Sequence, residues 1–186
     1  GTDGFRGEAN NNLTADHAYK IGRFLGWYYG EVKRQNGDDT PARIVIGKDT
    51  RRSSYMFEYT LVGGLVASGA DAYLLHVTTT PSVAYVARTD EFDCGIMISA
   101  SHNPFYDNGI KVFSKDGIKL TSDVEDLIED YIDGKVTLEY ATGEAIGKIV
   151  PYERGIENYL NFVCEEFDID LHGVNIAMDC ANGSAS

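Results

Sequence analysis

Residues 99–104 combine side chains that could carry out phosphoryl chemistry. Ser101 offers a hydroxyl that can act as a nucleophile, and the adjacent His102 can transfer a proton. Lys111 adds a cation in the short apolar run that follows, residues 110–113. Phosphoryl transfer depends mainly on positioning and on the neutralisation of charge. This combination therefore predicts a phosphoryl-transfer site.

Several other cations occupy loops where they could bind an anion. The chain carries a formal net charge of −13, so an anionic substrate would be repelled unless cations gather at its site. Arg6 lies in the glycine-dense segment 1–7, where the backbone could approach a ligand closely. Lys48, Arg51 and Arg52 precede a predicted helix, whose free N–H groups attract anions. The acidic balance also argues against nucleic-acid binding.

The residue types also allow the hypothesis that the chain is a serine hydrolase. Ser101, His102 and Asp107 are the components of a catalytic triad. However, adjacent residues in an extended segment point apart, so His102 is poorly placed to accept the proton of Ser101. No Gly-x-Ser-x-Gly motif is present either. The non-catalytic alternatives are a turn-capping role for Ser101 and a solvated strand face for Lys111.

The pattern of apolar residues predicts an α/β fold, with a mixed, mostly parallel sheet and helices on both faces. The predicted strands are 43–47, 72–77, 94–98, 110–113 and 174–179, and the predicted helices are 14–32, 55–68, 81–88, 122–131 and 152–167. Three polar loops, 48–54, 78–81 and 100–109, each follow a strand's carboxyl end, the edge at which open α/β sheets bind ligands. Residues 107–109 predict a turn, and the strand after it is expected to be antiparallel.

Domain organisation follows from the same pattern. Residues 1–140 are predicted to form a catalytic domain, residues 141–151 a linker, and residues 152–186 the truncated start of a second α/β domain. A helix, a strand and a turn cannot bury a core alone. Three widely spaced cysteines fit a reducing cytoplasm, with the thiols as small buried hydrophobes. No apolar run is long enough to cross a membrane.

Four motifs occur in the order typical of the α-D-phosphohexomutases, which the chain resembles. They are Gly1–Gly7 (GTDGFRG), Gly47–Arg51 (GKDTR), Ser99–Pro104 (SASHNP) and Asp107–Lys111 (DNGIK). The resemblance covers the whole chain as the first of four domains plus the start of the second. Residues 98–111 are most similar to the bacterial phosphoglucosamine mutases within that superfamily.

The resemblance implies a phosphosugar mutase that interconverts glucosamine 6-phosphate and glucosamine 1-phosphate, and so supplies amino sugar for cell-wall precursors. Ser101 would carry a phosphoryl group, pass it to one sugar hydroxyl, and recover the opposite phosphate from a bisphosphorylated intermediate. His102, Arg6 and Lys111 would assist at the reacting centre. The remaining implied ligands bind the substrate or its phosphate; they are Lys48, Arg51 and Asn103.

The resemblance also implies partners that the sequence does not contain. A phosphoserine oxygen of Ser101 would be one ligand of a Mg²⁺ ion, and a sugar bisphosphate would serve as activator. The other metal ligands and the sugar-recognition loops belong to further domains of the same protein, so the chain alone is expected to be inactive. The alternatives are a phosphoglucomutase or phosphomannomutase, and a noncatalytic phosphate-binding or interaction domain. The oligomeric state stays open, with a homo-oligomer as one possibility.

Overall fold

The computed structural model describes residues 4–167 and 169–186 as a three-layer α/β arrangement around one sheet. The strands are β1 (Phe5–Glu8), β2 (Arg43–Lys48), β3 (Asp71–Val77), β4 (Cys94–Ile98), β5 (Asp107–Ser114) and β6 (Ile149–Pro151). The helices are α1 (Ala15–Gln35), α2 (Arg52–Ala67), α3 (Thr80–Thr89), α4 (Ser122–Ile132) and α5 (Glu153–Glu166), with a short 3-10 turn at Gly143–Ala145.

The sheet is mixed and mostly parallel, as predicted. Its strand order in the described residues is β1-β5-β4-β2-β3-β6. Strands β4, β2, β3 and β6 are mutually parallel, whereas β5 is antiparallel to both β4 and β1. Helices α1, α2 and α4 pack on one face, and α3 and α5 on the other. The predicted fold class is therefore confirmed.

Close packing between α1 and α2 sets the rigid layer behind the sheet. Thr14 caps α1, because its Oγ1 accepts the backbone N–H of His17 at 3.3 Å. A β-carbon added at Gly22 would lie 2.1 Å from the carbonyl oxygen of Leu61. Only glycine permits so close an approach of the two helices.

The N-terminal side of the sheet differs from the sequence prediction. Residues 5–8 form an edge strand rather than a loop, and residues 107–109 belong to β5 rather than to a turn. The two segments pair with each other, with Arg6 opposite Gly109. The turn propensity of residues 107–109 is overridden because the pairing satisfies the hydrogen-bonding groups of both backbone segments. The first three residues of the predicted N-terminal motif lie outside the described part of the chain.

The C-terminal third also differs from prediction. Residues 149–151, expected as linker, form β6 beside β3, and α5 packs on α3 of the same sheet. No strand forms over the predicted segment 174–179, and Val174, Ile176 and Met178 are exposed. A strand there as part of a second domain stays a prediction. A strand needs a hydrogen-bonded neighbour, and the described residues place none beside it. The division into two domains stays a prediction.

The thiols and the helices bear on two further expectations. The three cysteines are free, and only Cys94 is buried, whereas Cys164 and Cys180 are exposed. The expectation of buried thiols thus holds for the one cysteine that lies in the sheet. Among the described residues, no helix is long and apolar enough to cross a membrane.

Candidate active site

Three loops at the carboxyl edge of the parallel strands line one cleft of about 690 Å³. They follow β2, β3 and β4, as the sequence predicted. Asp49, Arg51 and Arg52 come from the first loop and the start of α2, and residues 79–80 come from the second. The loop after β4 contributes Ser101 and its neighbours, and residues 180–185 of the C-terminal segment close one side. The topology thus brings the predicted polar loops together.

Ser101 is held in an unusual backbone conformation at the mouth of this cleft. Its φ is +57°, in the left-handed region that non-glycine residues seldom adopt. The side chain is exposed, while its backbone N–H donates to Ser99 Oγ at 3.1 Å. The strain is therefore supported by the buried end of β4, and the hydroxyl is presented to the cleft.

His102 lies beside the Ser101 hydroxyl without forming a triad. Its Nδ1 is 3.5 Å from Ser101 Oγ, longer than an effective proton-transfer contact. The carboxylate of Asp107 accepts a hydrogen bond from Asn103 Nδ2 at 3.0 Å. Asp107 is thus engaged with Asn103 within the loop, and the geometry does not support a serine hydrolase.

The Arg51 guanidinium lies beneath the Ser101 loop and bonds to its backbone. Nη2 donates to the carbonyl oxygens of Ser101 and Asn103, at 3.0 and 2.8 Å. Nη1 donates to those of Pro104 and Asp107. The side chain is only 10% exposed. Arg51 thus borders the cleft, while its guanidinium donates to the loop backbone. Its predicted phosphate-binding role stays a prediction.

A buried polar network, which the sequence did not predict, supports this arrangement. Asp49 Oδ2 accepts from Arg51 Nε at 2.9 Å, and its Oδ1 accepts from Ser54 Oγ at 2.6 Å. Asn108 Nδ2 donates to the hydroxyls of Ser53 and Ser54, at 2.8 and 2.9 Å. The side chain of Asn108 is fully buried at the start of β5. The sequence did carry one signal of this network: Asn108 is a polar residue beside the apolar run 110–113.

Lys48 is placed differently from the prediction. Its side chain is 2% exposed and forms an ion pair with Glu58 of α2, whose side chain is 0% exposed. The ammonium also lies 4.4 Å from the ring centroid of Tyr55. Lys48 alternates with the glycine before it along β2, so it faces the helix layer rather than the cleft. The geometry therefore favours a structural role over phosphate binding.

Arg6 and Lys111 lie on the β1–β5 side of the sheet, next to the serine loop. Arg6 pairs with Gly109, and Lys111 is two positions further along β5 on the same face. A β-carbon at Gly109 would be 3.0 Å from the carbonyl oxygen of Ser99, so glycine lets β5 pass close to the loop. The sheet register thus brings both predicted cations to the strands that flank Ser101.

The cleft is favourable for an anion despite the acidic chain. The N-termini of α2 and α3 both border it, and neither N-cap side chain makes a capping hydrogen bond. The first-turn N–H groups and the helix dipole favour an anion there. Arg52 is exposed at the same edge, while the Asp49 carboxylate is neutralised by Arg51.

The described residues contain no group of three or more histidine, cysteine or carboxylate side chains able to hold a metal ion. A phosphate on Ser101 would offer hard oxygen ligands of the kind that Mg²⁺ prefers. The donors in the described part of the chain could therefore supply one ligand of a magnesium site but not a complete set.

Comparison with known proteins identifies the relatives of this chain. Residues 1–138 match the family described as phosphoglucomutase/phosphomannomutase, alpha/beta/alpha domain I. The chain is 60% identical over its whole length to a phosphoglucosamine mutase of Lachnoclostridium phytofermentans and 61% identical to one of Lachnospira eligens. It spans 40% of the length of each of these curated relatives.

Solved structures agree on the fold. A phosphoglucomutase/phosphomannomutase family protein of Burkholderia thailandensis superimposes with a TM-score of 0.70 at 23% identity, covering 91% of this chain and 36% of that one. A putative phosphomannomutase of Thermus thermophilus gives 0.66 at 24% identity, covering 90% and 36%. The match over residues 1–138 shows that the chain belongs to the phosphoglucomutase/phosphomannomutase family and contains its domain I.

Proposed function

We propose that this chain is the phosphoserine-bearing part of a phosphosugar mutase that interconverts glucosamine 6-phosphate and glucosamine 1-phosphate. The carrying observation is Ser101 itself. Its exposed hydroxyl is fixed by a strained backbone above a cleft bordered by two helix N-termini whose N-cap side chains make no capping hydrogen bond. Such a site favours a phosphorylated side chain, because the free N–H groups stabilise its negative charge.

The chemistry assigned to Ser101 is phosphoryl transfer in both directions. A sugar hydroxyl oxygen attacks the phosphorus of phosphoserine, the new P–O bond forms, and the bond to Ser101 Oγ breaks. The hydroxyl proton passes to a nearby base, and the Ser101 oxygen is left to accept the opposite phosphate of the bisphosphorylated sugar. Lys111 and Arg6 would offset charge on the transferring group, and His102 would contact the reacting centre.

The remaining groups are assigned by chemistry and by the family. Asn103, which is held by Asp107, would orient the loop toward the substrate. A Mg²⁺ ion would bind one phosphoserine oxygen and neutralise charge when present; its other ligands would come from parts of the protein outside this chain. A sugar bisphosphate would prime the serine. The 186-residue chain alone is predicted to be inactive, since it spans 40% of its relatives.

The preference for glucosamine phosphates rests on the relatives at 60 and 61% identity, which are named phosphoglucosamine mutases. The test is steady-state turnover by the full protein that carries this chain, with glucosamine, glucose and mannose phosphates compared side by side. We expect glucosamine 6-phosphate to give the highest kcat/KM, by at least about 10-fold. Preference for glucose or mannose phosphate would reassign the substrate.

Ser101→Ala separates the enzyme from a noncatalytic phosphate-binding domain. The variant should bind substrate but lose turnover, whereas full turnover would contradict the proposed role of Ser101. The isolated chain provides a second test. A coupled assay should detect no conversion, and rates of about 1 s⁻¹ or more would overturn the expected inactivity.

A further inference from the structure

We propose that Arg51, aligned by Asp49, is a positioning residue that fixes the Ser101 loop for phosphoryl transfer and does not itself bind phosphate. The inference rests on the proposed function and adds a role to it. Arg51 lies in one of the motifs that suggested phosphate binding, yet its guanidinium faces the backbone of the loop.

All five N–H donors of the guanidinium are occupied. Nε donates to Asp49 Oδ2 at 2.9 Å. The two Nη1 hydrogens go to the carbonyl oxygens of Pro104 and Asp107, and the two Nη2 hydrogens go to those of Ser101 and Asn103. A guanidinium has five N–H donors and no acceptor. No donor is therefore left for a substrate phosphate in this arrangement.

The four carbonyl acceptors span the whole loop from Ser101 to Asp107. The other bonds of the loop in the described residues are mostly local: Asn103 N–H donates to Ala100, Asp107 N–H to Pro104, and Ser101 N–H to Ser99. Asn103 Nδ2 also donates to the Asp107 carboxylate. From outside the loop, the backbone N–H of Ala9 donates to the carbonyl of Tyr106. Ser101 holds a left-handed φ of +57°, which the chain must be forced to keep. The planar Arg51 guanidinium thus holds the four carbonyl groups on one side of the loop, so that the Ser101 side chain is presented on the other side.

Asp49 sets the orientation of the guanidinium. Its carboxylate accepts from Arg51 Nε and from the Arg51 backbone N–H at 3.1 Å. Ser54 Oγ, in the first turn of α2, donates to the same carboxylate at 2.6 Å. The backbone N–H of Asp49 in turn donates to the carbonyl of Ile98 at the end of β4. The clamp is therefore built on the ends of two adjacent strands.

The test uses the full protein with Arg51→Lys and Arg51→Ala, and Arg34→Lys as a matched control. Arg34 is an exposed arginine at the end of α1, paired with Glu31. Lysine keeps the charge but offers three donors from one point, so it cannot hold four carbonyls and Asp49 together. We expect kcat to fall about 100-fold in Arg51→Lys, because small errors of position are costly in transfer reactions.

The kinetic pattern distinguishes positioning from phosphate binding. A positioning residue lowers kcat while KM for the sugar phosphate stays within about threefold, and a phosphate ligand raises KM. Added guanidinium should restore part of the kcat of Arg51→Ala but not alter the control. Hydrogen exchange of residues 101–107 should accelerate in Arg51→Lys, while exchange in α1 and β3 stays unchanged.

Each outcome decides the proposal. A raised KM at constant kcat would overturn the proposal that Arg51 positions the loop. Unchanged kcat together with unchanged hydrogen exchange in the loop would also overturn it. If Arg51→Ala does not fold, as judged by circular dichroism, Arg51→Lys alone decides by the same criteria. Ser101→Ala separates the two levels of inference: full activity in that variant refutes the proposed function, whereas its inactivity leaves the Arg51 result to be judged by itself.

Discussion

Replacement of Lys48 by methionine tests whether this cation is a structural residue or a phosphate ligand. The ammonium and the Glu58 carboxylate are 2% and 0% exposed, and they form an ion pair between β2 and α2. Glu58 Oε1 has no hydrogen-bond partner among the described residues, and His76 Nδ1 lies 3.7 Å away. Lys48→Met would therefore leave a buried carboxylate without its cation.

The expected cost follows from that geometry. Removal of one member of a buried pair costs about 3–5 kcal/mol, because the remaining charge is uncompensated. At about 2–4 °C per kcal/mol for a domain of this size, the unfolding transition of this domain within the full protein should fall by about 6–20 °C. Glu58→Gln should be destabilising in the same direction. The double variant Lys48→Met/Glu58→Leu should recover to within about 1 kcal/mol of the parent, because the incomplete hydrogen bonding makes the pair replaceable.

The assay is thermal unfolding of the full protein, with hydrogen exchange of β2 and α2 amides to locate the loss. A non-additive double-mutant cycle, in which the double variant is more stable than either single variant, would support a structural role for Lys48. KM for the sugar phosphate should change little in any variant that remains folded. Wild-type stability together with a strongly raised KM in Lys48→Met would refute the reasoning and restore Lys48 as a phosphate ligand.

Three further predictions concern the scaffold around the site. Arg23 is fully buried and donates to four acceptors, two at the C-terminal end of α2 (Ala67 and its cap Ser68) and two on the segment after α4. Arg23→Met should therefore cost about 3 kcal/mol in thermal unfolding, and an unchanged melting temperature would contradict this. Gly22→Ala should cost about 1–3 kcal/mol, because the added carbon would lie 2.1 Å from a backbone oxygen of α2. Gly63→Ala, where nothing lies within 4 Å of the added carbon, should instead be stabilising by about 0.5–1 kcal/mol. Equal effects of Gly22→Ala and Gly63→Ala on stability would contradict the close packing of α1 on α2. Burial, followed by a hydrogen bond to Asp90, raises the pKa of Tyr152 from 10.0 to about 12. The unfolded chain therefore loses this proton first, so stability should decline as the pH rises from 10 to 12, and Tyr152→Phe should lack that part of the decline in melts across this range.

The sheet and the cleft were predictable because they depend on local patterns. The run Cys94–Ile98 is continuously apolar, and it forms β4 with those bounds. Polar loops after three strands predicted a common edge, and the structure places Asp49, Thr79 and Ser101 around one cleft. Strand period and strand direction sufficed for both predictions.

The parts that the sequence could not specify depend on contacts between distant residues. The segment 5–8 becomes a strand only because it pairs with 107–110, and turn-forming residues at 108–109 masked that pairing. Residue type alone does not tell whether a guanidinium faces a ligand or a loop. Arg51 and Lys48 both fit an anion site by composition, but their positions relative to Pro104 and Glu58 give them internal partners. The apolar segment 174–179 has the composition of a strand without a neighbouring strand in the described chain.

The most direct test of the central claim is to follow the phosphoryl group on Ser101. The full protein, primed with a sugar bisphosphate, should carry about 80 Da of added mass on the peptide that contains Ser101. Mixing with excess glucosamine 6-phosphate in a single turnover should transfer an isotopically labelled phosphoryl group from that serine to the sugar at a rate no slower than kcat. Turnover at the full rate while the label stays on the protein, or full activity with no phosphate on Ser101, would contradict the account.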